Sequence, residues 1–159
     1  MIINWPKFVA KMVLYALLAA MVFMVIVWAV VLIQSNNSMQ NLLDDLVLIV
    51  SEENCLSTDG GSNSTAAMFA RNLEASETSW LTFDTEGGTA VSVTDLVTGR
   101  PCNSYINAPQ RGAKIKCKLT GTVTLPVVIA PFGQNRLVIT VPFEKEYNTM
   151  ALKYFKDKA

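Results

Sequence analysis

The feature that most constrains this chain is an apolar run near its N-terminus. Residues 12 to 33 read MVLYALLAAMVFMVIVWAVVLI and contain no charged residue, glycine or proline. An α-helix rises about 1.5 Å per residue, so about twenty apolar residues cross the hydrocarbon core of a bilayer. A buried helix of a soluble protein is the alternative, but 159 residues are too few to cover such a helix on all sides. The run therefore predicts a helix in a membrane or in the core of a filament.

The charges that flank this run are distributed unequally. Lys7 and Lys11 precede it without an acidic residue, whereas Asp44 and Asp45 are the first charges after it. The positive-inside rule then predicts a cytoplasmic N-terminus and an extracytoplasmic C-terminal domain, in a single-pass membrane protein at the cell surface or in an extracellular filament. Tryptophans 5 and 28 stand near the two ends of the run, where aromatic residues line membrane interfaces, although Trp28 could also face a partner.

A second helical pattern follows the apolar run. From Met39 to Val50, apolar residues recur mostly at steps of three and four, with polar residues between them. The polar segment 34–38 either breaks the helix or marks its exit into water. Residues 1–53 therefore form the first predicted unit, an apolar helix with an amphipathic continuation.

From Trp80 onward the apolar period changes to two. Alternating segments at 80–83, 89–94, 114–120, 122–130 and 136–143 are separated by turns containing Gly or Pro, and a short helix is predicted over 65–75. Gly121 predicts one of these turns, and Pro126 predicts a strand edge or a bulge. The predicted fold class is α+β, in which a long N-terminal transmembrane or filament-core helix precedes a small antiparallel β-sheet or sandwich. Residues 54–143 would form this extracytoplasmic head.

The C-terminal segment, residues 144–159, returns to a helical period. Its apolar residues are Tyr147, Met150, Ala151, Tyr154 and Phe155, and its lysines fall on the other side. We therefore predict an amphipathic tail that caps the sheet, docks on a neighbouring subunit or lies on a membrane surface.

The composition excludes several functional classes. Thirteen basic and thirteen acidic residues give a formal charge of zero, whereas a general nucleic-acid binder shows a basic excess. Histidine is absent, which removes the commonest general base and the usual zinc ligand. The chain also has no Gly-rich phosphate loop, haem motif or EF-hand pattern. We therefore predict a protein that is not an enzyme, with no catalytic, metal or cofactor site and no nucleic-acid partner.

The three cysteines allow at most one disulfide within the chain. An extracytoplasmic head would be oxidised, and a Cys55–Cys102 bond would join the end of the helix to the sheet. We favour this pairing because the strand alternation directs Cys117 inward as a buried thiol, although a Cys102–Cys117 bond and no bond at all stay open. The sequons at Asn36 and Asn63 are candidate N-glycosylation sites.

One pattern suggests chemistry. The pair Ser38-Met39 follows a membrane helix and resembles the Ser-Met motif of type I signal peptidases. The resemblance covers about a dozen residues and implies a Ser/Lys protease, whose base would be Lys114 or Lys116. The chain departs from that family because no proline follows Met39 and Asp44 stands where glycine is expected. A polar helix exit followed by an amphipathic helix explains the same residues.

The layout as a whole resembles type IV pilin-like proteins, including archaeal pilins, archaellins and bacterial pseudopilins. These proteins share a short charged lead, an apolar helix, an amphipathic continuation and a β-rich head. The resemblance implies a homo-oligomeric helical filament whose core is the packed N-terminal helices and whose surface is the β head. Small residues that would let the helix backbones approach are Ala16, Ala19, Ala20 and Ala29. The alternative is a membrane-anchored accessory or binding subunit of a membrane complex, because the same features serve a monomeric anchor.

Overall fold

The chain folds into one long helix and a small sheet. The computed structural model describes residues 5–85, 88–127 and 137–155. The elements in chain order are α1 (Trp5–Glu53), a 3₁₀ turn (Gly61–Asn63), α2 (Thr65–Ser76), β1 (Leu81–Thr82), β2 (Val91–Asp95), β3 (Lys114–Val127) and β4 (Leu137–Met150). The four strands form one antiparallel sheet. The predicted α+β class is confirmed.

Helix α1 is continuous over 49 residues. It passes through the polar segment 34–38 without a break, so that segment does not interrupt it. The helix ends at Glu53, and the next residue, Asn54, has a φ of 60°, a left-handed conformation that Asn tolerates better than most residues. The Asn54 side chain donates to the carbonyls of Pro109 (2.9 Å) and Lys153 (2.6 Å) and accepts from the Lys153 amide (2.9 Å). These bonds fix the helix end to the last part of the chain.

Strand β3 is the centre of the sheet. Strand β4 pairs along one side of it over fourteen rungs, from Lys114↔Met150 to Val127↔Leu137. Strands β1 and β2 pair along the other side, and α1 packs against one face of the sheet. The residues of β3 that point towards the core are Ile115, Cys117, Leu119, Val123 and Leu125. Their alternation with half-buried polar residues confirms the predicted two-residue period.

Two predictions about β3 have different outcomes. Gly121 does not form the predicted turn, since the strand continues through it. A Cβ atom there would lie 3.0 Å from Cε1 of Phe83, so packing accounts for the glycine. Pro126 lies beyond the last β1 rung, and its missing N–H falls on the side of β3 that has no strand partner at that height in the described chain. This position is a strand edge, as predicted.

The predicted helical tail over 144–159 is wrong for the residues that the structure describes. Strand β4 continues to Met150, residues 151–155 follow without helix, and residues 156–159 lie outside the described ranges. Pairing with β3 determines the conformation, because the ladder of rungs continues to Met150 and pairs the backbone of these residues. Glu144 and Glu146 add ion pairs with Lys118 (2.8 Å) and Lys116 (2.6 Å) across the ladder. The turn predicted from the residues at 131–135 also lies outside the described ranges.

Candidate functional site: the long helix and its junction with the head

The N-terminal half of α1 extends from the head uncovered. We call residues 5–26 the apolar rod. All of them are exposed except Met24, which is half-buried. Leu17, for example, keeps 59% of its surface. Helix α1 is long and apolar enough to cross a membrane. A soluble chain does not leave such a surface in water, so the rod requires lipid or other helices around it.

Three of the four predicted packing alanines share one face of α1. Ala16, Ala19 and Ala20 lie within ~100° of one another at ~100° per residue, and Ala29 lies ~140° away from Ala16. All four are exposed. We call Ala16, Ala19 and Ala20 the alanine face. It lies N-terminal to Val27, where the packing of α1 against the core begins. A second helix can therefore approach the alanine face along a part of α1 that the head of the same chain does not cover.

The C-terminal half of α1 is covered by the head. Its first buried residue is Val31, at 5% exposure, and from Met39 onward one stripe of the helix is enclosed. The buried apolar residues of this stripe are Met39, Leu42, Leu43, Leu46 and Val50. They pack with the inner face of the sheet and with Phe69 and Leu73 of α2. This stripe confirms the predicted amphipathic continuation.

A hydrogen bond marks the junction between the two halves. The indole N–H of Trp28 donates to the carbonyl of Pro126 at 2.8 Å, although Trp28 belongs to the apolar run. Further along, Lys145 Nζ donates to Gln40 Oε1 (2.9 Å) and the Leu152 amide donates to the Ser51 carbonyl (2.9 Å). Strand β4 therefore runs in the same direction as α1. The end of the sheet at rungs Pro126↔Val138 and Val127↔Leu137, which we call the hairpin end, lies beside the start of the covered half.

At the opposite end of the head, three polar side chains meet at the last turn of α1. Lys153 Nζ lies 2.7 Å from Glu53 Oε2, and the Tyr105 hydroxyl donates to the same oxygen at 3.2 Å. The hydrogen bond from Lys153 lowers the pKa of Glu53 and raises the pKa of Lys153, and burial raises the pKa of Tyr105. All three groups are partly exposed, so this cluster ties the C-terminal segment to the helix and stabilises it modestly.

The three cysteines are buried free thiols, and the predicted Cys55–Cys102 disulfide is not formed in the structure. The two segments are nevertheless adjacent, because the Leu56 amide donates to the Cys102 carbonyl at 3.0 Å. Burial raises the pKa of Cys55 and of Cys102 to about 11 and that of Cys117 to about 12. The inward direction predicted for Cys117 is confirmed. Thiols in this environment pack as small apolar groups and are poor nucleophiles.

The two candidate glycosylation sites differ in access. Asn36 is half-buried within the continuous helix α1, whereas Asn63 is exposed in the 3₁₀ turn. A glycan requires a freely accessible amide on the surface. Asn63 therefore offers the better acceptor geometry of the two.

A half-open cleft of about 390 Å³ separates α2 from β2. Its walls are mainly apolar and include Phe69, Leu73 and Val93. No pattern in the sequence predicts this cleft, because it arises from the spacing of two elements and has no local signal. Helix α2 buries Phe69 and Leu73 and exposes Met68.

The residues of the Ser/Lys hypothesis are not brought together. Ser38 lines a second cavity of about 340 Å³ with Thr78 and Trp80, beside α1. Lys116 points to the opposite face of the sheet, where it pairs with Glu146. Within residues 5–85, 88–127 and 137–155, no cluster of His, Cys, Asp or Glu side chains could hold a metal ion. No family model matches the chain, and no curated protein or solved structure matches it either.

Proposed function

We propose that this chain is a structural subunit of an extracellular pilus-like filament, assembled through its N-terminal helix with the β head outside. The observation that carries the proposal is the division of α1 into an uncovered apolar rod and a half that is built into the head. This arrangement presents one helix for burial by other copies while the head stays folded around the remainder. Before assembly, the membrane would hold the rod.

The energetics of the transfer from lipid to a helix bundle are compatible with such a role. A helix that is apolar on every side is comfortable in lipid or in a bundle of similar helices. Moving the rod between these two environments changes little apolar exposure, so packing and backbone approach decide the balance. The alanine face supplies a surface of small side chains at which two helices can come close. The polar outer face of the sheet, with its Lys–Glu pairs, suits a filament surface in water.

The test is electron microscopy of material sheared from cells that express the chain, with mass spectrometry to identify it. We expect regular filaments that contain this protein. The intact mass would also report whether Asn63 or Asn36 carries a glycan. Recovery only after detergent extraction, in a discrete particle, would contradict the filament.

A pair of variants isolates the contribution of the alanine face. Ala20→Leu adds bulk where helices would approach and should abolish filaments while membrane insertion persists. Ala29→Leu makes the same chemical change on another side of α1 and should leave assembly intact. Equal assembly by both variants would remove the alanine face from the proposal.

A membrane-anchored accessory or binding subunit is the second candidate, and the cleft between α2 and β2 favours it. Its volume of about 390 Å³ and its apolar walls fit a side chain or a short segment of a partner protein. Such a subunit should co-purify in detergent with a larger assembly. Ala70→Arg at the half-buried cleft wall, with Met68→Arg at an exposed position of α2 outside the cleft as its control, would test whether that co-purification depends on the cleft.

A further inference from the structure

The position of the head along α1 restricts where a bilayer can lie. Residues 12 to 33 form the apolar run, but the structure places part of that run inside the protein. Val31 is buried, and Val27, Trp28 and Leu32 pack partly against the core. If residues 12–33 crossed the hydrocarbon, the hairpin end of the sheet would enter it as well, because Trp28 is bonded to the Pro126 carbonyl.

An open sheet edge is not tolerated in hydrocarbon. Strand β4 pairs with β3 on one side, and no strand in the described chain pairs with its other edge. The backbone N–H and C=O groups along that edge need water, because lipid tails offer no hydrogen-bond partners. The bilayer must therefore end before the hairpin end begins.

The part of α1 that precedes the hairpin end is long enough to cross the bilayer. Twenty residues that end at Val27 begin at Phe8, and at 1.5 Å per residue they span ~30 Å, the thickness of a hydrocarbon core. In this register Trp5 and Lys7 lie at one interface and Trp28 at the other, where aromatic and basic residues are favoured. Lys11 lies within the first turns of the span, and its long side chain can reach back to the headgroups.

The distribution of charge on the head supports the same position. The seven rungs from Gly121↔Phe143 to Val127↔Leu137 contain no charged residue, and we call them the uncharged rungs. Charges begin at the next rung, Thr120↔Glu144, and continue to Lys114↔Met150 at the far end. Val138 and Ile139, near the hairpin end, are about half exposed. The described part of the β3–β4 ladder is thus uncharged over the rungs nearest the rod and charged over the rungs farthest from it.

We infer that the hairpin end of the head rests on the lipid surface, with the membrane span at residues 8–27 and Trp28 at the interface. The inference rests on the membrane-held state in the proposed function and does not require a filament. The partner is the headgroup and carbonyl layer of the bilayer, which accepts apolar side chains together with hydrogen-bonding backbone. The head therefore touches the membrane and does not stand off from it on a free stalk.

The first test measures the depth of the head with a fluorophore on a single introduced cysteine. The native thiols are buried, so Val138→Cys and Met150→Cys can be labelled selectively, and the unsubstituted chain measures any background. The two positions lie on the same strand with matched exposures of 52% and 49%, at opposite ends of the head. Leu17→Cys, in the middle of the rod, reports whether the helix is in the membrane.

The proteins are placed in phosphatidylcholine vesicles that carry a nitroxide quencher either at the headgroup or deep in the acyl chain. We expect headgroup quenching of the label in V138C, none in M150C, and deep quenching in L17C. If the label in L17C is quenched but the labels in V138C and M150C are not, the head does not touch the lipid although the helix is in the membrane. That result would overturn the inference and leave the proposed function standing. Absence of quenching in L17C would overturn membrane anchoring, and with it the basis of the proposed function.

The second test reads the register of the span. Ile26→Cys and Ile33→Cys introduce thiols at two exposed positions on either side of Trp28. A charged maleimide that cannot cross the vesicle membrane should modify I33C and leave I26C unmodified. If neither thiol reacted with the maleimide, the membrane span would cover residues 12–33, and the inference would be overturned.

Discussion

The two halves of α1 are one continuous helix with opposite surroundings. From Trp5 to Ile26 nearly every side chain is exposed, whereas from Met39 to Val50 one stripe is enclosed by the head. The first half is apolar around its whole circumference, and the second half alternates apolar and polar faces. The comparison shows that the apolar periodicity of each half, and not helix propensity, determines which environment it can occupy.

Each half therefore contributes to a different equilibrium. The covered half contributes to folding of the head, because its stripe fills the space between the sheet and α2. The rod contributes to partition between water, lipid and a helix bundle. A substitution should affect one equilibrium and leave the other unchanged, and the following predictions apply this separation.

The largest effect is expected from a cavity in the covered half. Leu46 is fully buried, so Leu46→Ala should lower the free energy of unfolding of the head by about 2–5 kcal/mol. Leu17→Ala, the same change in the rod, should leave that free energy unchanged. The measurement is denaturant unfolding of the full chain in detergent, followed by near-UV circular dichroism. A comparable loss in both variants would mean that the rod is part of the folding unit.

A charge introduced into the rod should disfavour membrane insertion and leave the folding of the head unchanged. Leu18→Asp places a carboxylate in the middle of the rod and should disfavour insertion by about 2.5–3.5 kcal/mol. Asn41→Asp adds the same charge at an exposed position of the covered half and should change neither insertion nor stability. Extraction of membranes with alkaline carbonate separates inserted from released protein. If carbonate released N41D from the membrane as it releases L18D, the hydrocarbon core would have to extend past the junction to Asn41.

The next effect concerns pH and belongs to the head alone. Each buried thiol has a pKa raised from 9.0 to about 11 or 12 in the folded chain. Above pH 9 the unfolded chain loses thiol protons that the folded chain keeps, so stability falls as the pH rises. The loss is at most about 1.4 kcal/mol per pH unit for each thiol.

The matched variant for this pH effect is Cys117→Ala, which should have a shallower decline above pH 9 than the unsubstituted head under reducing conditions. Under oxidising conditions, a Cys55–Cys102 disulfide would remove two of the three titrating thiols. Cys117 would then cause most of the remaining loss of stability above pH 9, and C117A should lack that loss. An unchanged slope in C117A would rule out this source of alkaline sensitivity.

The sequence predicted the elements whose signal is local. Twenty-two apolar residues in a row permit few conformations, and the alternation at Lys114–Thr120 lies within a single strand. Residues 144–150 have a helical period in the sequence, and their strand conformation is set by pairing with β3, which is distant in sequence. Gly121 was misread for the same reason, since its cause is the Phe83 ring across the sheet. Long-range packing overrides local pattern at these positions.

The candidate site divides in the same way. The rod and its alanines follow from composition, but the junction joins Trp28 and Pro126, which are 98 positions apart. The sequence placed Trp28 at the edge of the apolar run and could not identify its acceptor. The cleft between α2 and β2 likewise depends on two elements whose relative placement has no local signal.

The smallest expected effect lies at the junction. Trp28→Phe removes the donor to the Pro126 carbonyl and should lower the free energy of unfolding by about 0.5–1.5 kcal/mol. Amide exchange at the uncharged rungs should rise more than exchange at the charged end of the sheet, because the lost bond fixes the hairpin end to α1. Trp5→Phe, at the exposed start of the rod, is the control and should change neither quantity. If W28F altered membrane partition while exchange at the hairpin end stayed constant, Trp28 would belong with the rod, and the covered half would begin at Val31.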